Sequence, residues 1–201
     1  TKQAGILLGV DEVMTGFRSK FGGAQELLGI EADITCLGKV VGGGFPVGAY
    51  GAREEIMQMV SPLGAMYQAG TLSGNPVAMA AGISTLTELN NQNPYDKFNA
   101  QAETLEKALL AAAKDNGIDL TVNRFGSMIN PFCNAKTVTN FDEAQECDTA
   151  RFTKFFWGLI ENGIYLPPSQ FESWFLSTVL SDEDMNKIIA AINSAMAGID
   201  N

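Results

Sequence analysis

The sequence predicts an α/β fold, with part of a mainly parallel sheet in its first half and a small α+β domain in its second. Three observations carry this expectation. Gly5-Ile6-Leu7-Leu8-Gly9-Val10 is a short, nearly continuous apolar run that halts at Asp11-Glu12, the pattern of a central parallel strand covered by helices on both faces. Asp33-Ile34-Thr35-Cys36-Leu37-Gly38-Lys39 reads the same way and ends at a lysine followed by Gly42-Gly43-Gly44. Past Asn90-Asn91-Gln92-Asn93-Pro94 the pattern changes to amphipathic helices separated by short strand-like pieces.

The elements follow in order. Val47 to Tyr50 is a candidate third strand. Ser73-Gly74-Asn75-Pro76 reads as a helix start, with Asn75 as cap and Pro76 at the first helical position, where its missing N–H costs nothing. The helix from Val77 to about Leu89 is rich in Ala and poor in charge, so we expect it buried nearly all round. The polar run closed by Pro94 is the best linker, dividing a large domain (1–93) from a small C-terminal α+β domain (94–201). Lys97 to Asn116 places Phe98, Ala102, Leu105 and Leu109 on one helical face, with Gly117 as the stop. Leu120 to Phe132 holds short strands. Asp142 to Asn162 reads as one helix with Phe152, Phe155, Phe156, Leu159 and Ile160 inward, ending at Gly163. A last helix opens with a capping box at Ser181-Asp182-Glu183-Asp184 and carries Met185, Ile188, Ile189, Ile192 and Met196 as its apolar stripe.

Composition narrows the chemistry. The chain has 201 residues, 46% of them hydrophobic, enough for one or two domains with a real core. Its net charge of −10 disfavours nucleic acid and anionic membrane surfaces as partners. There is no histidine, so Ser-His-Asp and Cys-His catalysis and imidazole metal sites are excluded within these residues. Cys36, Cys133 and Cys147 form no paired motif, which argues against a disulfide framework and for a reducing, cytoplasmic compartment. No apolar run approaches the roughly 18 residues of a membrane helix. A strand-like run starting almost at Thr1 leads us to expect a fragment of a longer protein.

Four places could carry chemistry. Lys39, between an apolar strand and three glycines, could offer a partly desolvated amine as a nucleophile, although a solvated strand-end lysine is the plainer alternative. Asp11 and Glu12 point to opposite strand faces, so at most one meets the crevice at the carboxyl ends of the strands. A single carboxylate there suits a protonated ring nitrogen; capping the next turn is the common alternative. Tyr67-Gln68-Ala69-Gly70-Thr71-Leu72-Ser73-Gly74-Asn75-Pro76 combines glycines, hydroxyls and a helix start, a possible anion site or an ordinary capped turn. Glu172 lies among Phe171, Trp174 and Phe175, where a buried carboxylate would need a partner such as a substrate cation or a backbone N–H, and an exposed position would serve equally well.

Together, Asp11-Glu12-Val13-Met14-Thr15-Gly16-Phe17-Arg18, Leu37-Gly38-Lys39-Val40-Val41-Gly42-Gly43-Gly44-Phe45-Pro46-Val47-Gly48-Ala49 and Tyr67 through Pro76 resemble the class III pyridoxal-phosphate aminotransferases. Asn123-Arg124-Phe125-Gly126-Ser127-Met128, Cys147-Asp148-Thr149-Ala150-Arg151-Phe152 and Ser169-Gln170-Phe171-Glu172 extend the resemblance over essentially the whole chain. Gly9, Leu180 and Ile129-Asn130-Pro131 depart from the family pattern. The resemblance implies a fold-type I, aspartate aminotransferase-like architecture, of which this is the C-terminal half, and pyridoxal 5'-phosphate as cofactor, cycling with pyridoxamine 5'-phosphate. By that resemblance, Lys39 would carry the cofactor covalently and shuttle protons, Asp11 would pair with the ring nitrogen, and Val13 would pack on the ring. Tyr67 would lie beside the cofactor, Gly70 and Thr71 would bind the phosphate held by the neighbouring subunit of a homodimer, and Glu172 would stand near the substrate's amino end. The implied reaction is an intramolecular amino transfer on a small amino aldehyde, giving 5-aminolevulinate for tetrapyrrole synthesis. Glu172, standing in a stretch where related transaminases carry an Arg for a carboxylate, favours that reaction over transamination of an ω-amine. A non-catalytic remnant of the fold is the third alternative.

Overall fold

The computed structural model describes residues 1–133 and 136–199 and divides into two compact units, Thr1–Tyr95 and the chain from Asp96 onward. The first unit is built on a three-stranded sheet of β1 (Gly9–Asp11), β2 (Ile34–Leu37) and β3 (Ala49–Ala52), in that order. β1 and β2 are parallel, with Gly9 opposite Ile34 and Asp11 opposite Cys36; β2 and β3 are antiparallel. The crossover from β1 to β2 contains α1 (Gly23–Leu28), and β3 leads into α2 (Glu54–Met57).

Several expectations change here. The first strand is shorter than its apolar run, because Gly5 takes a left-handed conformation (φ 65°) that closes a turn over Lys2–Ala4, and β1 is an outer strand of the three described. Ile6 and Leu7 are exposed. β2 stops before Lys39, where Lys39 turns left-handed and opens a 3-10 turn, Lys39–Gly42. The third strand runs two residues later than expected and antiparallel, which makes this sheet mixed.

α3 (Pro76–Gln92) starts as read from sequence: Asn75 Oδ1 accepts the N–H groups of Val77 and Ala78, and Pro76 takes the first position. It is not buried all round. Only Ala78 and Gly82 are buried, while Val77, Met79 and Ile83 face solvent. The polar run after it is mostly helical. Only Asn93, left-handed at φ 42°, and Pro94 separate α3 from α4 (Tyr95–Asp115).

In the second unit the apolar stripe of α4 is buried as its spacing requires, at Phe98, Ala102, Leu105 and Leu109. A hairpin of β4 (Thr121–Phe125) and β5 (Met128–Phe132) follows, and the short β6 (Trp174–Phe175) pairs with β5. The single helix expected over 142–162 is two helices, α5 (Phe141–Gln145) and α6 (Thr149–Glu161). Asp148 breaks it: its carboxylate caps Ala150 and Arg151, while its own N–H donates to Cys133 O at 3.0 Å. Phe152, Phe155 and Leu159 are buried, with Phe156 and Ile160 half-buried. α7 (Asp182–Ala197) opens with the expected capping box, Ser181 with Asp184, and buries Met185, Ile192 and Met196. Cys36 is exposed and Cys133 and Cys147 are buried, all three as free thiols. Among the described residues no helix is long and apolar enough to cross a membrane.

Candidate active site

The carboxyl ends of the parallel pair β1 and β2 bring Asp11, Val13 and Lys39 to one end of the first sheet. Asp11 ends β1 opposite Cys36, so Lys39 lies three residues past Asp11's register partner, within about 10 Å of extended chain. Asp11 is exposed, and its Oδ1 accepts the N–H of Val13 at 2.8 Å. Val13 is half-buried against Gly38: a Cβ built on Gly38 would stand 3.1 Å from Val13 Cγ1. Lys39 is itself exposed and held at φ 49°. A left-handed non-glycine residue costs about 1–2 kcal/mol, and such strain gathers at functional sites. The amine is therefore not desolvated by the residues around it, which is the plainer of the two alternatives that the sequence left open.

What holds Lys39 in place is the packing of its turn on α3. Gly82 of α3 would, with a Cβ, stand 2.4 Å from Val41 O. Backbone meets backbone at that contact, and no other residue type fits it without moving the turn.

The loop ahead of α3 carries Tyr67, Gly70 and Thr71, all exposed, with a tight turn in which Ser73 N–H donates to Gly70 O at 2.9 Å. Gly70 and Ser73 line a cavity of about 490 Å³ together with Val41, Val47, Met79 and Ile83. Of the two alternatives for the helix start, the capped turn is the one observed. Asn75 already occupies the first N–H groups of α3, so an anion in this loop would have to draw on the residues before the helix rather than on its amino terminus.

Glu12 shows the opposite character from Asp11, as strand alternation requires. It is 1% exposed, and its carboxylate accepts from Thr15 Oγ1, from Ala24 N at 2.9 Å and from Gln25 N at 2.8 Å. Burial pushes its pKa up, but these hydrogen bonds together outweigh burial and hold it below the usual carboxylate value. Further along, Phe17 is also left-handed (φ 59°), and its carbonyl accepts the phenol of buried Tyr95 at 3.0 Å. Burial, reinforced by the Glu26 charge and opposed by Arg18, pushes the Tyr95 phenol up to about 12. Neither Glu12's hydrogen bonds nor Tyr95's reach to Phe17 was foreseen. The Asp-Glu doublet was the only signal for the first, and the second joins residues 78 positions apart.

Glu172 lies in the second unit, in the turn before β6. It is exposed, and its N–H donates to Ser169 O at 3.1 Å. It is not embedded among aromatics, because Phe171 and Phe175 are themselves about half exposed and leave the carboxylate in water. The turn is anchored from beneath by Gln170, 3% exposed, whose Nε2 donates to Ala144 O at 3.4 Å and whose backbone carbonyl accepts from Asn130 Nδ2 at 2.8 Å.

Comparison with known proteins places these residues in context. The sequence model of the family described as aminotransferase class-III matches residues 1–196. The chain is 54% identical over 189 residues to the glutamate-1-semialdehyde 2,1-aminomutase of Persephonella marina, covering 94% of this chain and 44% of that protein. It is 49% identical over 196 residues to the enzyme of the same name from Aquifex aeolicus, covering 98% of this chain and 46% of that protein. Among solved structures, a β-phenylalanine aminotransferase from Variovorax paradoxus superposes with a TM-score of 0.88 at 32% identity, over 98% of this chain and 45% of that one. The chain thus spans a little under half the length of the curated relatives it matches.

Proposed function

We propose, from the premise that this chain belongs to the class-III aminotransferase family, that it is the cofactor-binding and C-terminal part of a glutamate-1-semialdehyde 2,1-aminomutase. The observation that carries the proposal is the placement of Asp11 and Lys39 at the carboxyl ends of adjacent parallel strands, in a chain about half identical to enzymes of that name. The residues present fit pyridoxal phosphate: an exposed amine and an exposed carboxylate stand at the same end of one sheet, with a valine side chain between their segments. When bound, that cofactor supplies an electron sink for the carbon next to the transferred nitrogen.

The protein's own residues divide the remaining work. Lys39 Nζ would hold the cofactor and then carry protons to and from the substrate carbons. Asp11, oriented by the Val13 N–H, would accept the hydrogen bond of the ring nitrogen, and Val13 would support the ring face. Gly70 and Thr71 would hold the phosphate belonging to the partner protomer of a homodimer, with Tyr67 beside it, and the exposed apolar face of Val77, Met79 and Ile83 is the kind of surface such an interface covers. Glu172 would receive the substrate's ammonium group. The net reaction moves nitrogen to the aldehyde carbon and leaves a carbonyl where nitrogen had been, so no external amine is consumed. Free thiols suit a reducing, cytoplasmic setting, which belongs to the same proposal.

A transaminase that takes its nitrogen from a separate amine donor is the second reading, supported by the superposition on the Variovorax paradoxus aminotransferase at lower identity. The test supplies the amino aldehyde with pyridoxal phosphate and no amine donor. Formation of 5-aminolevulinate is the expected result. A diamino acid formed only with an added amine donor, with release of the donor's keto partner, would establish the transaminase instead.

A further inference from the structure

The carboxylate of Glu12 is buried, ionised and outside the roles assigned above. Its surroundings are unusually complete. Its N–H extends the sheet ladder to Cys36 O at 2.8 Å, and its carbonyl accepts Gly16 N–H at 2.8 Å. Its side chain takes the Thr15 hydroxyl and the first amides of α1, at Ala24 and Gln25. Gly23, at φ 72°, makes room for it: a Cβ there would fall 2.4 Å from Glu12 Oε2. Gln25 passes the connection on, donating through Nε2 to Thr35 Oγ1 of β2 at 3.2 Å and accepting the N–H of Ala32 at 3.2 Å. One carboxylate therefore joins the end of β1, the 12–16 turn, the start of α1 and, through Gln25, the strand that leads to Lys39.

We infer that Glu12 is a positioning residue that fixes the direction of the Asp11 carboxylate. The link is the peptide between Glu12 and Val13. Asp11's side chain has one partner among the described residues, the Val13 N–H, and the direction of that N–H is set by the turn that Glu12 holds from both sides. Without the Glu12 carboxylate the turn loses its Thr15, Ala24 and Gln25 anchors together, and Val13 N–H no longer has a fixed aim at Asp11 Oδ1. The inference rests on the proposed function only in saying what Asp11 is held for.

The test uses the whole chain with Glu12→Gln. A glutamine has a single acceptor oxygen and presents N–H groups toward backbone N–H groups, so it cannot reproduce the set. In the cofactor-free chain, the Val13 amide is expected to exchange at least about tenfold faster, together with Ala24 and Gln25, because charge-assisted hydrogen bonds are lost, while amides of α7 keep their rates. Acceleration at Ala24 and Gln25 with Val13 unchanged would overturn the inference, leaving Glu12 as an anchor for α1 alone. Should Glu12→Gln not fold, Thr15→Val removes one donor and is expected to accelerate Val13 exchange by a smaller factor; an unchanged rate there overturns the inference equally. With pyridoxal phosphate added, the concentration that half-saturates Lys39 should rise in Glu12→Gln while the label at saturation stays the same. A wild-type chain that takes no label at Lys39 would count against the proposed function, and Val13 exchange would still decide the role of Glu12.

Discussion

A phenol as deeply buried as Tyr95 leaves a signature at alkaline pH. In the unfolded chain a tyrosine ionises near 10, whereas burial pushes Tyr95 up to about 12. Its contribution to stability is therefore intact below 10 and drains away as the pH rises from 10 to 12, because only the unfolded state gives up the proton in that window. Tyr95→Phe should cost about 1 kcal/mol at neutral pH, the worth of its hydrogen bond to the Phe17 carbonyl, and should lose less stability than wild type between pH 10 and 12. Urea midpoints across that range measure it, and equal losses in both proteins would contradict it. At this scale the sequence was readable where the signal is local. Alternation along β1 separated Asp11 from Glu12. The Glu12 network was not readable, since two of its three donors are backbone N–H groups whose placement depends on the crossover from β1 to β2.

Among the elements, α3 and the Lys39–Gly42 turn depend most on each other. Gly82→Ala sets two effects in opposition. Helix propensity favours alanine by about 1 kcal/mol, while a Cβ 2.4 Å from Val41 O forces backbone to move, an overpacking cost of about 1–3 kcal/mol. We expect net destabilisation in denaturant titrations and weaker cofactor retention at Lys39. A gain in stability would mean that the contact does not hold the turn. Element boundaries were read well where a cap announces them, as at Asn75 and Ser181, and poorly where a cap interrupts a helical pattern, as at Asp148. The apolar periodicity of residues 142–162 continues through that break, so hydrophobicity alone joined what Asp148 divides. The composition of α3 suggested burial, but a chain spanning under half of its relatives' length need not contain the residues that cover such a helix.

Across the whole molecule the two units differ in how much apolar surface each encloses. Among the described residues, the buried apolar side chains before Phe98 are Ala78, Pro94 and Tyr95, while the unit from Asp96 onward buries a continuous set from Phe98 to Ile199. In the first unit Ile6, Leu63, Val77 and Ile83 are each more than half exposed. Burial at about 25 cal/mol per Å² of apolar surface is the main favourable term in folding, so the second unit should hold the greater share of the stability. Native-state hydrogen exchange should therefore find the slowest amides in α4, β5, α6 and α7, with β1 and β2 exchanging faster. Equal protection in the two would contradict this distribution. The overall class, α/β followed by α+β, was legible because apolar runs and amphipathic stripes report it directly. The open edge at β1 was not, since nothing in an apolar run says what will cover it.

The central claim is that Lys39 is the residue that binds the cofactor, and it can be tested directly. The purified chain would be mixed with pyridoxal phosphate, reduced with borohydride and mapped by peptide mass, with Lys39→Ala alongside. The account predicts a label confined to Lys39 and absent from the variant. A folded chain that carries no label, or one scattered over its lysines and unchanged in Lys39→Ala, would contradict it.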